Sequence, residues 1–223
     1  MADHHILKRI NIDHLSQLID ALRNKYPNSA YNASKHIIEF SGEKILTLRL
    51  PLCIYFDEQK IIPCNFLVIL IHSGEAALAF SEEDQITEHK MVKAYMVRQK
   101  QGKSQIKHLK TKGKSKAGSR VRLAGTDHFF EEINAKISEW DEYYSIDKIA
   151  ISCNKTLQPY FFNRSDASIK KDDIRIVKIP KHIQEANFEN LTHIHNYLIS
   201  TELNFDDTEK DAIQDLIFNI TNE

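Results

Sequence analysis

Leu15, Leu18, Ile19 and Leu22 recur at helical spacing and predict an amphipathic helix over 11–26, with Asn11 or Asp13 placed to cap it. Residues 27–34, rich in Asn, Ser and Ala after Pro27, read as loop. Short β-like runs at 36–40, 45–50 and 53–56 predict strands, the first two joined through Ser41-Gly42-Glu43-Lys44, a hairpin signal. From residue 63 the pattern changes. Residues 65–72 are apolar almost without interruption, which predicts a strand buried on both faces. Ser73-Gly74-Glu75 is a turn, 76–80 a second strand and, after the acidic Glu82, Glu83 and Asp84, 90–98 a third. A long helix over 119–144 carries Val121, Phe129, Ile133, Ile137 and Trp140 as its apolar stripe. Strands over 148–153 and 174–179, a short helix over 157–162, and helices over 182–200 and 207–220 complete the chain.

From residue 63 the order is thus β-β-β-loop-α-β-α-β-α. Hairpin-linked strands followed by βα units predict a mixed α/β sheet covered by helices. The division expected is an N-terminal extension over 1–60 (a helix plus a small antiparallel layer), a central domain over 61–181, and C-terminal helices over 182–223 packed on it. No repeat is visible at solenoid periods.

At 223 residues the chain can bury one sizeable core. Its longest apolar run, 66–71, is far short of the about 20 residues a bilayer demands, and its N-terminus has no apolar signal region. No membrane contact and a cytoplasmic location are expected. Cys53, Cys64 and Cys153 are odd in number and lack zinc spacing, so reduced thiols are predicted, with neither a metal nor a cofactor.

Charge changes the picture most. Residues 89–126 hold twelve of the thirty Lys and Arg residues, four of the six glycines and no Asp or Glu. The remainder carries 18 basic against 31 acidic residues, so a formal net charge of −1 hides +12 on one stretch and −13 on the rest. A concentrated positive segment on an acidic body is a polyanion contact, nucleic acid being the commonest partner. Residues 100–118, rich in Lys and Ser, cannot pack as core, and they lie between a buried strand and a long helix, where functional loops are mounted. Backbone amides at the start of the following helix can hold a phosphate. Gly102-Lys103-Ser104 and Gly113-Lys114-Ser115 lack the glycine five residues earlier that a Walker A loop requires, since Val97 and His108 stand there.

Tyr95-Met96-Val97-Arg98-Gln99-Lys100-Gln101-Gly102-Lys103-Ser104-Gln105, followed by Lys114-Ser115-Lys116-Ala117-Gly118-Ser119-Arg120-Val121-Arg122, resembles the release-factor-like domain of the ankyrin-repeat and zinc-finger peptidyl-tRNA hydrolase family. The resemblance covers 63 to about 180 and is most specific over 95–122. A docking or capping role is expected for residues 1–60 only because they lie outside it. It implies an RNase H-like fold related to the middle domain of class I release factors, and a metal-independent role in ribosome-associated quality control. The implied partners are peptidyl-tRNA and the ribosomal large subunit. Gly102 and Gln105 match a Gly-x-x-Gln motif that enters the peptidyl-transferase centre; Gly118 and Arg122 match the helix-start motif. Leu123 departs from a second arginine, Ala124-Gly125-Thr126 stands where Tyr-Asn-Glu is usual, and these residues contain no zinc finger or ankyrin repeat.

The resemblance makes Gln105, Gly102 and Arg122 the catalytic candidates. A neutral amide can orient water towards the peptidyl ester, and Gly102 permits a close backbone approach. Alternatively a 2′-hydroxyl near the tRNA 3′ CCA end attacks the adjacent phosphate, with Arg122 stabilising the phosphorane. Arg98, Lys100, Lys103, Ser104, Lys107, Lys110, Lys112, Lys114, Lys116, Gly118, Ser119 and Arg120 are the expected RNA contacts, salt-sensitive and indifferent to sequence. A non-catalytic ribosome- or tRNA-binding module using the same segment is the alternative, and a DNA-binding protein a weaker one. His4, His5, His193 and His195 read as surface histidines, His108 as an RNA contact, and His128 as a helix-surface residue. Asp141-Glu142 and Asp172-Asp173 read as solvated acidic pairs. Phe129, Phe130, Trp140, Tyr143, Tyr144, Tyr160, Phe161 and Phe162 read as packing residues.

Overall fold

Asn11 stops the backbone from continuing extended and starts a helix: its side-chain oxygen accepts a hydrogen bond from the His14 amide at 2.8 Å. The computed structural model describes residues 3–42, 44–57, 60–94 and 115–221, with backbone alone at 3–4 and 115–124. β1 (Asp3–Lys8) precedes this helix, α1 (Ile12–Lys25), whose Leu15, Leu18, Ile19 and Leu22 are all buried. β2 (Asn28–Asn32), β3 (Ile37–Ser41) and β4 (Ile45–Arg49) follow as an antiparallel meander, and β5 (Ile54–Phe56) pairs with β6 (Ile61–Pro63). The stretch expected as loop over 27–34 therefore contains an edge strand. Its side chains are exposed or half-buried, so no apolar alternation marks it.

The central sheet has the order β11-β10-β7-β8-β9, built from β7 (Phe66–His72), β8 (Glu75–Glu82), β9 (Gln85–Lys93), β10 (Lys148–Cys153) and β11 (Ile176–Lys178). β7, β8 and β9 run antiparallel; β10 and β11 run parallel to β7. Both faces are covered, which explains the unbroken apolar run in β7. Leu67, Ile69 and Ile71 pack with Phe129, Phe130, Ile133, Ile137 and Trp140 of α2 (Ser115–Tyr143) and Phe161 of α3 (Gln158–Phe162). Phe66, Val68 and Leu70 pack on the other side with Leu191, Ile194, Tyr197 and Leu198 of α4 (Phe188–Leu198). The third strand lies earlier than the 90–98 expected. Glu83, at φ 51°, makes a tight turn with Asp84 and returns the chain at once, beside a bulge at Phe80/Ser81.

The helix expected over 182–200 is shorter, starting at Phe188 under an Asn187 cap. After it comes a strand that periodicity did not predict, β12 (Thr201–Asp206). It inserts between β1 and β4, so the second sheet has the order β1-β12-β4-β3-β2. α5 (Lys210–Thr221) then places Ile213 and Ile217 in the same core as Leu15, Leu22, Phe40 and Leu203. The first and last segments of the chain thus share one layer. No helix among the described residues is long and apolar enough to cross a membrane.

Candidate nucleic-acid interface

β9 is an edge strand of the central sheet, and the basic segment leaves from its end. That exit is anchored: the Ala94 amide donates to the Gly74 carbonyl at 2.8 Å, and Gly74 takes the φ of +78° that the β7–β8 turn requires. Val92 is buried in the α2-side core, and Lys90 of β9 pairs with Glu132 of α2 at 3.0 Å. Arg98, Lys100, Gly102, Lys103, Ser104, Gln105, Lys107, His108, Lys110, Lys112 and Lys114 lie outside the described residues. The chain is described again from Ser115, where α2 starts four residues before the expected position. Lys116, Gly118, Ser119, Arg120 and Arg122 are therefore inside the helix, Gly118 and Arg122 being one turn apart. The first turn of α2 contains no acidic residue, and the next carboxylate in sequence is Asp127. A helix N-terminus without its usual acidic partners, next to a run of lysines, favours an anion.

Several other candidates change character in the structure. His195, expected on the surface, is buried; its ring stacks on Phe66 at 5.5 Å between centroids, and Nε2 lies 2.9 Å from the Ser81 hydroxyl. That hydroxyl also lies 2.9 Å from the Gln85 carbonyl, so the pair fastens the β8–β9 turn to α4. His193 is exposed, as is His128. Asp141 and Asp173 are not free solvated acids: both accept from Arg175, Asp141 at 2.7 Å and Asp173 at 2.8 Å. The Arg175 guanidinium holds the Asp173 carboxyl below its ordinary range, with burial acting weakly against it. Phe129, Phe130, Trp140 and Phe161 are core; Tyr143 and Tyr160 are instead exposed. Burial pushes the thiols up, Cys53 and Cys153 to about 11 and Cys64 to about 12, so all three stay protonated near neutrality. Among the described residues no group of three or more His, Cys, Asp or Glu side chains is placed to hold a metal.

Two networks join residues that sequence reasoning did not connect. Lys148, at the start of β10, donates to the Ile54 carbonyl and lies 3.0 Å from Nε2 of the buried His36. Arg49 Nε donates to Glu202 at 2.9 Å, the Tyr197 hydroxyl donates to the same carboxylate at 2.7 Å, and Lys181 Nζ stands 3.9 Å from the Tyr197 ring centre. Only the β4–β12 register, which sets Arg49 opposite Glu202, assembles the second network.

Comparison with known proteins bears on the same region. A sequence model of the family described as Bacteroidetes VLRF1 release factor matches residues 66–205, the whole central sheet and α4. The tRNA endonuclease vms-1 of Caenorhabditis elegans is 30% identical over 133 residues, 58% of this chain and 21% of that protein, so this chain spans about a fifth of that relative. A solved structure titled Vms1 mitochondrial localization core superposes with a TM-score of 0.44 at 15% identity, covering 85% of this chain and 82% of that one.

Proposed function

The chain belongs to the Bacteroidetes VLRF1 release factor family, and from that membership we propose that it frees nascent chains from stalled ribosomal large subunits in the cytoplasm by acting on peptidyl-tRNA. The observation that carries the reading is charge segregation. Twelve cations and no acid occupy residues 89–126, which run from the end of the anchored edge strand β9 into the first turns of α2. The remainder is strongly acidic, so binding at this one segment is favoured over indiscriminate polyanion adhesion. The sheet order, three antiparallel strands continued by two parallel ones, supports an RNase H-like assignment for the scaffold.

Gly102 and Gln105 present the reacting group, and the surrounding lysines hold acceptor-stem phosphates. In ester hydrolysis, the Gln105 amide orients a water whose oxygen bonds to the peptidyl carbonyl. The acyl–oxygen bond breaks, the tRNA 3′-terminal ribose keeps its oxygen and takes a proton, and the peptide leaves as an acid. In tRNA cleavage, a 2′-hydroxyl near the CCA end attacks the adjacent phosphate and the bond to the following 5′-oxygen breaks. A cyclic phosphate and a free 5′-hydroxyl result, with Arg122 balancing the phosphorane charge. The similarity to the worm tRNA endonuclease favours the second reaction. A non-catalytic module is the competing class.

Gln105→Ala separates the classes. Turnover on stalled subunits is expected to fall about 10²–10³-fold, the usual cost of removing one preorganised donor. Affinity for tRNA should stay within about two-fold, because a neutral amide contributes little to phosphate binding. Unchanged turnover in the variant would remove Gln105 from the chemistry.

A further inference from the structure

Four cations from three stretches of the chain, Lys35, Arg49, and the neighbouring Lys178 and Lys181, converge at the edge of the central sheet opposite β9. A cleft of about 470 Å³ opens between the end of β11 and the uncovered face of the N-terminal sheet. Lys35, Arg49 and Lys178 line it together with Thr47, Tyr197 and Asn204. Lys181 stands beside it, its ammonium 3.9 Å from the Tyr197 ring centre, and the Arg49 guanidinium lies 4.1 Å from the same centre. Glu202 is the one carboxylate among the described lining residues, and it is already engaged by Arg49 and the Tyr197 hydroxyl. Burial opposes its ionisation, but these two donors outweigh burial and hold the carboxyl below its usual range. Elsewhere on the surface Lys25, Lys44, Lys90, Lys93 and Lys136 each have a carboxylate partner, while the exposed Lys155, Lys170 and Lys171 are scattered cations with no ion pair among the described residues. Lys35 and Lys178 have no ion pair among the described residues. With Arg49 and Glu202 cancelling each other, Lys35, Lys178 and Lys181 leave the cleft locally positive on a body whose net charge outside residues 89–126 is −13.

We propose that this cleft is a second RNA-backbone contact, gripping phosphodiester groups at the far edge of the sheet from the basic segment. Only the choice of RNA as the polyanion rests on the release-factor reading. Lysine ammoniums act as point charges on phosphates, and Thr47 and Asn204 supply neutral hydrogen-bonding groups for sugar hydroxyls. The Tyr197 ring is occupied by two cations, so it is no stacking platform for a base, and the contact ignores sequence. Two contacts on opposite edges orient the molecule on its RNA, which one segment alone does not.

The test uses the full chain and fluorescein-labelled deacylated tRNA, titrated between 50 and 200 mM salt. The triple variant K35Q/K178Q/K181Q is compared with K155Q/K170Q/K171Q, which removes the same charge from exposed positions away from the cleft. The cleft triple should lower the slope of log affinity against log salt by about two to three, roughly 0.9 per lost phosphate contact, and the control by less than one. Should the triple fail to fold by circular dichroism, Lys178→Glu alone carries the test, with a slope lowered by at least one. Equal losses in the two triples, or none, overturn the proposal. So does lost binding to phosphatidylserine vesicles with tRNA binding unchanged. Peptide release by the wild type, measured on the same preparation, keeps the two readings apart: its absence counts against the enzyme and leaves the cleft result standing.

Discussion

His36 is 3% exposed and both its ring nitrogens are occupied. The Tyr31 hydroxyl lies 2.7 Å from Nδ1, and the Pro51 carbonyl 3.0 Å from Nε2. The Lys148 ammonium stands 3.0 Å from the same Nε2. A second proton would place an imidazolium against Lys148. Burial, reinforced by the Lys148 charge, pushes His36 down to about 3, and burial, helped by Arg9, pushes His195 down to about 4. Both values lie below the about 6.5 of an unfolded chain, so on acidification the unfolded state takes up protons first. Their contribution to stability is complete above about pH 6.5 and is lost as pH falls from there towards 4 and 3. Urea midpoints are expected to be lower at pH 5.0 than at pH 7.5. His195→Gln, which keeps a hydrogen-bonding group but does not titrate, should narrow that gap. A gap equal to that of the wild type would show that His195 charges freely in the folded protein.

At the scale of elements, β12 binds the two ends of the chain together. Leu203 is fully buried and sits opposite Ile6 of β1 and Leu48 of β4. Leu203→Ala is expected to cost about 2–5 kcal/mol, read as a fall in the urea midpoint; a loss below about 1 kcal/mol would mean that the site collapses freely. Deleting residues 1–60 would strip β12 of both partners and α5 of the α1 face it packs on, so that deletion cannot test docking by itself. Elements with a strong period were legible in the sequence: α1 with its cap, the doubly buried β7, and the α2 stripe from Phe129 to Trp140. β2 and β12 were not. β2 is an edge strand with exposed side chains, and β12 buries only Thr201, Leu203 and Phe205 along six residues that follow directly from a helix. For the site, the charge of the basic segment was legible as a contiguous run, while Gly102, Gln105 and most of its lysines lie outside the described residues. The Arg49–Tyr197–Glu202 cluster was not legible, because residues about 150 positions apart meet only through strand register.

At the scale of the molecule, the fold separates two jobs. A sheet covered on both faces supplies a rigid body, and a +12 segment leaves its β9 edge on an otherwise acidic surface. For the proposed function, rigid mounting lowers the ordering cost that a long charged chain would otherwise carry into a crowded RNA site. In the proposed role the acidic remainder limits unproductive adhesion to RNA and steers approach segment-first, an effect that weakens as salt rises. The proposed action on peptidyl-tRNA rests on family membership and on this charge layout.

The most direct measurement uses stalled large subunits carrying peptidyl-tRNA labelled at both the peptide and the tRNA 3′ end, incubated with the full chain and resolved on gels. The account predicts peptide freed from the subunit, together with intact tRNA for ester hydrolysis or tRNA shortened at its 3′ end for cleavage. Peptidyl-tRNA left whole while the protein remains bound to the subunit would contradict it and leave an RNA-binding module.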